Sequence, residues 1–383
     1  MTKKTTQDYA PPVQAANQPR KKKKGSGLMG RIIRRFFLLL FTVIVLAVAA
    51  LALVMNMVFN GPSPAARDVL TMSLIEASAT KWVPALFIGE EAVAQIRASV
   101  NAELADDFTD PSKVVIKKHN AITSESNEWN NYPDGIRIES YAGDTYNAHI
   151  MIVRDPSQVY MATSTENFST SIPGKRINQA IEDEGAIAAI NAGAFFDDGT
   201  TSSTVGSYPL GLVMSNGRCV WTSGKQPGLE GFAGFNEDNI LVVSKNNLTQ
   251  AQAAELKIRD GCCFGPVLIM NGEPNMEAYN NNSGFNPRTA IGQREDGAVI
   301  FVCIDGRQAG SLGGTYADII DIMTEYGAVN ACNMDGGSSS VMMYRDTYGR
   351  YGEAGQVQMI NNYSLLQSEP RRMPNFWMVR PAG

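Results

Sequence analysis

Two stretches in the second half of the chain combine acids, an arginine and closely spaced glycines. They are Asp305-Gly306-Arg307 and Asn333-Met334-Asp335-Gly336-Gly337-Ser338-Ser339-Ser340. Each follows an apolar, strand-like run, at 299–304 and 328–332, and a helix-like segment at 316–326 lies between them behind Gly310, Gly313 and Gly314. Ligands of sheets with helical crossovers collect at such strand ends. Glycines let backbone N–H groups approach an anion, and the fork of Arg307 matches phosphate or carboxylate oxygens. Asp305 and Asp335 also have the hard oxygens that a cation prefers, although nothing in the pattern demands a metal. Ordinary turn chemistry explains either Asp-Gly pair taken alone. Two of them flanking one helix point to a site.

Three further segments place polar groups beside apolar runs. Asn191-Ala192-Gly193-Ala194-Phe195-Phe196-Asp197-Asp198 follows 185–190, Asn286-Pro287-Arg288 opens a strand, and Pro370-Arg371-Arg372-Met373-Pro374-Asn375 precedes the last one. A serine nucleophile competes, given Ser338-Ser339-Ser340, but no G-x-S-x-G elbow is present. With only His119 and His149, a multi-histidine metal site is excluded, and His149, inside an apolar run, reads as structural. The five cysteines have no C-x2-C spacing and read as small buried residues. A Cys303–Cys332 bridge is compatible with the pattern, but spacing does not establish it.

The elements that must position these residues begin near Gly135. From there, apolar runs of four to seven residues alternate with Gly, Asn, Asp and Pro turns, with two helical segments near 179–184 and 316–326. The expectation is an α+β, mixed-sheet, strand-rich domain over 135–383. Upstream, residues 36–55 carry no charge, long enough to cross a bilayer as a helix. Ten of the 33 Lys/Arg but only one of the 38 Asp/Glu fall in residues 1–35, leaving 23 basic and 37 acidic residues beyond them. This charge asymmetry argues against nucleic acid as a ligand. It reads instead as a positive-inside topology signal. The expected organisation is a disordered cytoplasmic tail (1–35), a transmembrane helix (36–59), an extracytoplasmic helical stalk and linker (60–134), and the strand-rich domain outside the cell membrane. A cleaved signal peptide ending near Ala47-Val48-Ala49 is the competing reading.

In order and approximate spacing, the Asn191, Asn286–Gly292, Asp305-Gly306-Arg307, Asn333–Ser340 and Arg372–Asn375 segments resemble the phosphodiester glycosidase family. The resemblance covers about 135–383 and is most specific at the Asp-Gly-Gly-Ser block. Two departures stand out: Ser338 where the family has a third glycine, and Asp318 where it often has Glu. The resemblance implies hydrolysis of a sugar-1-phosphate linkage in cell-envelope or extracellular polysaccharide, and no cofactor or metal is called for by the residues. The leaving group is a phosphate monoester, so cationic stabilisation matters more than a strong acid. On that reading Asp335 and then Asp305 act at the anomeric carbon, with Asp197 or Asp198 behind them. Arg288, Arg307 and Arg372 hold phosphate, Asn191 and Asn333 hold the sugar, and Gly336, Gly337 and Ser338 line the phosphate. A non-catalytic module binding anionic glycopolymer during exopolysaccharide assembly is the main alternative. A phosphodiesterase cutting on the phosphorus side ranks below both.

Overall fold

The protein is described from a computed structural model, which covers residues 28–75, 80–100, 109, 129–197, 205–223, 231–308, 310–363 and 369–382. The chain divides into two compact units, 1–54 and 55–383. Helix α1 (Leu28–Phe59) begins eight residues before the expected span and takes in Arg31, Arg34 and Arg35. By length and composition its Gly30–Phe59 segment is able to cross a membrane. Two shorter helices follow, α2 (Pro64–Ile75) and α3 (Val83–Val100), the latter kinked at Gly89. Asp198 and most of the expected 101–134 linker lie outside the described residues.

The remainder alternates strands with short helices. In chain order these are β1 (Ile136–Ala142), β2 (Asn147–Val153), β3 (Val159–Thr163), α4 (Ile177–Glu184), β4 (Ala188–Asn191), β5 (Leu212–Ser215) and β6 (Arg218–Thr222). Next come β7 (Phe232–Asn236), β8 (Leu241–Ser244), α5 (Gln250–Glu255), β9 (Ile258–Cys263), β10 (Val267–Met270), β11 (Glu273–Pro274) and α6 (Met276–Tyr279). The last are β12 (Arg288–Arg294), β13 (Val299–Ile304), α7 (Tyr316–Glu325), β14 (Ala328–Met334), β15 (Met342–Arg345), β16 (Val357–Met359) and β17 (Asn375–Val379). The fold is α+β, as expected.

The strands form three antiparallel sheets: β1-β2-β13-β12-β14-β10-β11, β16-β15-β4-β17-β3 and β6-β5-β9-β7-β8. One face of each sheet meets the others in a shared core that includes Met151, Phe301, Ile190, Trp377, Phe235 and Cys262. The opposite faces pack against separate apolar clusters, which hold Ile319 and Met323 of α7, Ile177 and Ile181 of α4, and Ala253 of α5. Strands such as β13 are therefore buried on both sides, which is why Val299–Ile304 reads as a continuous apolar run rather than an alternating one.

Helix α7 starts where a capping box allows it. Thr315 Oγ1 accepts from the Asp318 amide, and Asp318 Oδ2 accepts from the Thr315 amide at 2.6 Å. Asp318 is thus a helix cap. All five cysteines are free. A Cys303–Cys332 bridge is ruled out because β12 runs between their strands, pairing Thr289 with Cys303 and Ile291 with Cys332. Two inter-strand spacings, about 10 Å, exceed the reach of a disulfide.

Candidate functional site

Three neighbouring strands of the seven-stranded sheet end together. Arg288, the first residue of β12, lies opposite Ile304 at the end of β13, and Thr289 lies opposite Met334 at the end of β14. Asp305-Gly306 and Asp335-Gly336 therefore leave the sheet on either side of Pro287. The fit leaves no room for side chains. A Cβ on Gly306 would stand 2.7 Å from Pro287 Cδ, and one on Gly336 would stand 2.8 Å from Pro287 O. Gly337, with φ at 61°, donates its amide to Pro287 O at 2.9 Å. The two Asp-Gly motifs are glycine-dependent because both press on one proline.

Asp335 is half-buried just past β14, with its amide bonded to Ala192 O at 3.0 Å. Burial pushes its carboxyl up to about 6; the Ser339 hydroxyl beside it and the Arg371 guanidinium pull the other way, and Asp197 pushes it further up. Arg371 Nη2 bonds Asp197 Oδ2 at 2.7 Å and Nη1 donates to Ser338 Oγ at 3.1 Å, with the guanidinium over the Phe195 ring. The arginine side chain is 8% exposed and that of Asp197 22%, so the pair is largely desolvated yet open at one edge. Two carboxylates and one guanidinium thus gather around the glycine–serine loop.

Asn191 lies beneath this group, fully buried. Its Nδ2 donates to Asp335 O at 2.6 Å, and its Oδ1 accepts from Thr289 Oγ1 and the Val341 amide. These bonds tie the loop at Asp335 to β12 and to Val341, so Asn191 helps hold Asp335 in place. Asn333 is buried too, donating through Nδ2 to Gly265 O at 2.8 Å, while its Oδ1 has no partner among the described residues. Ser340 Oγ and Asn375 Nδ2, on either side of the loop, are likewise buried without a partner among the described residues.

Asp305 is buried on the other side of Pro287. Its carboxylate accepts from the Asn362 amide at 2.9 Å and from Asn362 Nδ2 at 2.7 Å, and Oδ2 sits 3.2 Å from His149 Nε2. The adjacent Tyr363 donates its hydroxyl to Ser338 O and accepts from the Arg371 amide. Asn361 receives the Met342 amide and donates to Ser340 O. Residues 361–363 therefore staple Asp305 to the loop that carries Asp335.

The arginines divide differently from the sequence expectation. Arg288 is buried under the Tyr316 ring and donates to the carbonyls of Gly314, Ser283 and Gly284. Arg307 is exposed and bonds Asn286 Oδ1 at 2.8 Å. Arg372 donates to Gly174 O at 2.9 Å. The guanidinium that reaches the Asp335 cluster is Arg371. Sequence reading singled out Arg372, whereas the two neighbours, both ahead of β17, reach different partners: Arg371 meets Asp197 and Ser338, and Arg372 meets Gly174 O. It also passed over Asn361-Asn362-Tyr363, whose only signal is a polar triplet after an apolar run.

A separate cavity of about 830 Å³, lined by Trp129, Tyr132, Asp134, Asn239 and Asp296 among others, opens by the β12–β13 hairpin at the far end of the sheet. None of the site residues borders it.

Residues 184–380 match the phosphodiester glycosidase (NAGPA) family. The chain is 25% identical over 191 residues to the SPbeta prophage-derived uncharacterized protein YomE of Bacillus subtilis (strain 168), covering 49% of this chain and 27% of that one. It thus spans about a quarter of that relative's length. Among solved structures it is similar to the catalytic domain of zebrafish N-acetylglucosamine-1-phosphodiester alpha-N-acetylglucosaminidase, auto-inhibited by its pro-peptide, with 20% identity and a TM-score of 0.48 over 64% of this chain and 82% of that one. It is also similar to a hypothetical protein from Synechocystis, with 17% identity and a TM-score of 0.41 over 64% of this chain and 61% of that one. The match spans just over half of the chain and takes in Asn191, Arg288, Asp305, Asp335 and Arg371 alike: the chain belongs to the phosphodiester glycosidase family.

Proposed function

We propose that the protein hydrolyses a glycosyl phosphodiester of the cell envelope at the anomeric carbon, with Asp335 acting there and Arg371 receiving the phosphate. The observation that carries this reading is the half-open cluster of Asp335, Asp197, Arg371 and Ser338 at the end of β14. Water's oxygen bonds to C1, the C1–O bond to phosphorus breaks, and its electron pair leaves on the phosphate oxygen. The phosphate monoester is a weak base, so a desolvated guanidinium supplies what a general acid supplies elsewhere. A carboxyl with a pKa of about 6 is ionised at neutral pH and still basic enough to take a proton from water or to meet a developing oxocarbenium ion.

Phosphate entering beside Arg371 replaces part of the Asp197 contact, and the Ser338 hydroxyl lies on the same guanidinium. Asn333 Oδ1 and Asn375 Nδ2 bring unspent buried hydrogen-bonding capacity near the loop. Asn191 and the Asp305–Asn362 contacts keep Asp335 oriented. Incubating the chain with an N-acetylglucosaminyl-1-phosphodiester and assaying free sugar tests the reading. Release of sugar, lost in Asp335→Asn, supports it. Binding without release points instead to a module that holds anionic glycopolymer.

A further inference from the structure

The last turn of the apolar helix belongs to the same compact unit as the sheets. Phe59, where the apolar segment ends, is 2% exposed and stacks on Phe87 of α3 with ring centroids 5.1 Å apart. Beside that contact, Trp82, just ahead of α3, and Leu86 in its first turn are 59% and 71% exposed. Four residues after Asn60 the chain enters α2, and α2 runs to the site end of the large sheet. There Ser73 Oγ accepts the Phe285 amide at 3.0 Å, and a Cβ on Gly284 would stand 2.7 Å from the Ser73 amide nitrogen.

That loop is the one that receives Arg288 at the start of β12 and pairs Asn286 with Gly314. It shares an end of the sheet with Asp305 and Asp335. From Pro64 to Ser73 is about 14 Å of helix, so a single short helix connects the exit of the apolar segment to the loop at the site end. Phe285 and Leu312, on the two paired segments, are 37% and 57% exposed. Large apolar side chains therefore stand out both where the span ends and on the segments beside Asn286 and Arg307 at the site end of the sheet, with α2 joining the two. Aromatic and aliphatic side chains so placed settle into the headgroup layer of a bilayer.

We propose that the site end of this domain rests on the bilayer surface from which the apolar helix emerges, and that its substrate is the phosphodiester head group of a glycosylated membrane lipid. The proposal rests on the hydrolase reading above and on retention of the apolar helix. The reaction consumes one water and yields the reducing sugar and a lipid phosphomonoester that stays in the membrane. Confinement to the same surface raises the concentration of substrate at the site without any new contact.

The test uses the full-length chain in phosphatidylcholine vesicles. One probe is an α-N-acetylglucosaminyl-1-phosphodiester of a dialkylglycerol in those vesicles, and the other is the methyl ester of the same sugar phosphate at equal bulk concentration. The tailed ester is cleaved at least tenfold faster. Trp82→Glu/Leu86→Glu, and separately Phe285→Glu/Leu312→Glu, remove most of that advantage and leave the methyl ester rate unchanged. Bromine-labelled phosphatidylcholine quenches tryptophan emission, and Trp82→Phe abolishes the quenching. Equal rates on the two esters overturn the lipid substrate while sparing the hydrolase reading. Quenching that is absent, or that survives Trp82→Phe, overturns the docking. If neither ester is cleaved, the lipid substrate falls together with the hydrolase reading, and the quenching alone decides the docking.

Discussion

Asp335 carries two consequences that pH separates. Its carboxyl titrates near 6 instead of the ordinary value near 4, because burial outweighs Arg371 and the Ser339 hydroxyl. If the ionised form does the work, kcat/KM falls about tenfold per pH unit below 6, and a pH profile measures it. Replacing Arg371 by Met removes a charge that holds this pKa down, so the acidic limb moves above 6 while kcat drops at least a hundredfold. Arg372→Met, at a side chain bonded to Gly174 O, leaves the limb in place. Stability follows the opposite slope. A carboxyl whose folded pKa lies above its unfolded one binds more protons when folded, so its contribution is intact below pH 4 and is lost as pH rises through 6. Asp335→Asn therefore stabilises the fold at pH 8 by up to about 3 kcal/mol and changes little at pH 3.5, read by urea unfolding at both values. At this scale the sequence showed where an acid and glycines meet, because Asp-Gly turns are local. Which arginine reaches them depended on the course of residues 370–374 ahead of β17, which no spacing encodes.

The elements test how tightly the loops are held. Gly306 and Gly336 both press on Pro287, so Gly306→Ala and Gly336→Ala each destabilise by about 1–3 kcal/mol, measurable as a lower urea midpoint. Thr315→Ala removes the cap of α7 and costs about 1 kcal/mol by the same measurement. The helix at 316–326 was legible because its apolar stripe is a local signal, while the Thr315–Asp318 box that starts it was seen only in the structure. So were the long apolar strands β2, β13 and β14, since runs buried on both faces stand out against their turns. Short or exposed elements such as β6, β11 and β16 carry no such contrast. The disulfide question was decided by strand order: β12 enters between β13 and β14 although it precedes both in sequence.

On the scale of the whole molecule, three sheets share one core, and each is closed on its other face by a separate cluster. A strand-rich α+β domain was readable from composition and turn spacing, whereas the division into three sheets depended on pairings over a hundred residues apart, such as β4 with β15 and β17. The apolar helix was the plainest feature, because one uncharged run contains the whole signal. With the helix retained, the full chain stays with membranes through an alkaline carbonate wash. Cleavage near Ala49 instead releases a soluble chain, and the intact mass of the recovered protein distinguishes the two. The central claim is that Asp335 and Arg371 cleave a sugar–phosphate diester at carbon. Hydrolysis of an N-acetylglucosaminyl-1-phosphodiester in ¹⁸O-labelled water tests it most directly. The account predicts that the label enters the released sugar and that Asp335→Asn stops release while the ester still binds. Label in the phosphate product, or undiminished release by Asp335→Asn, contradicts it.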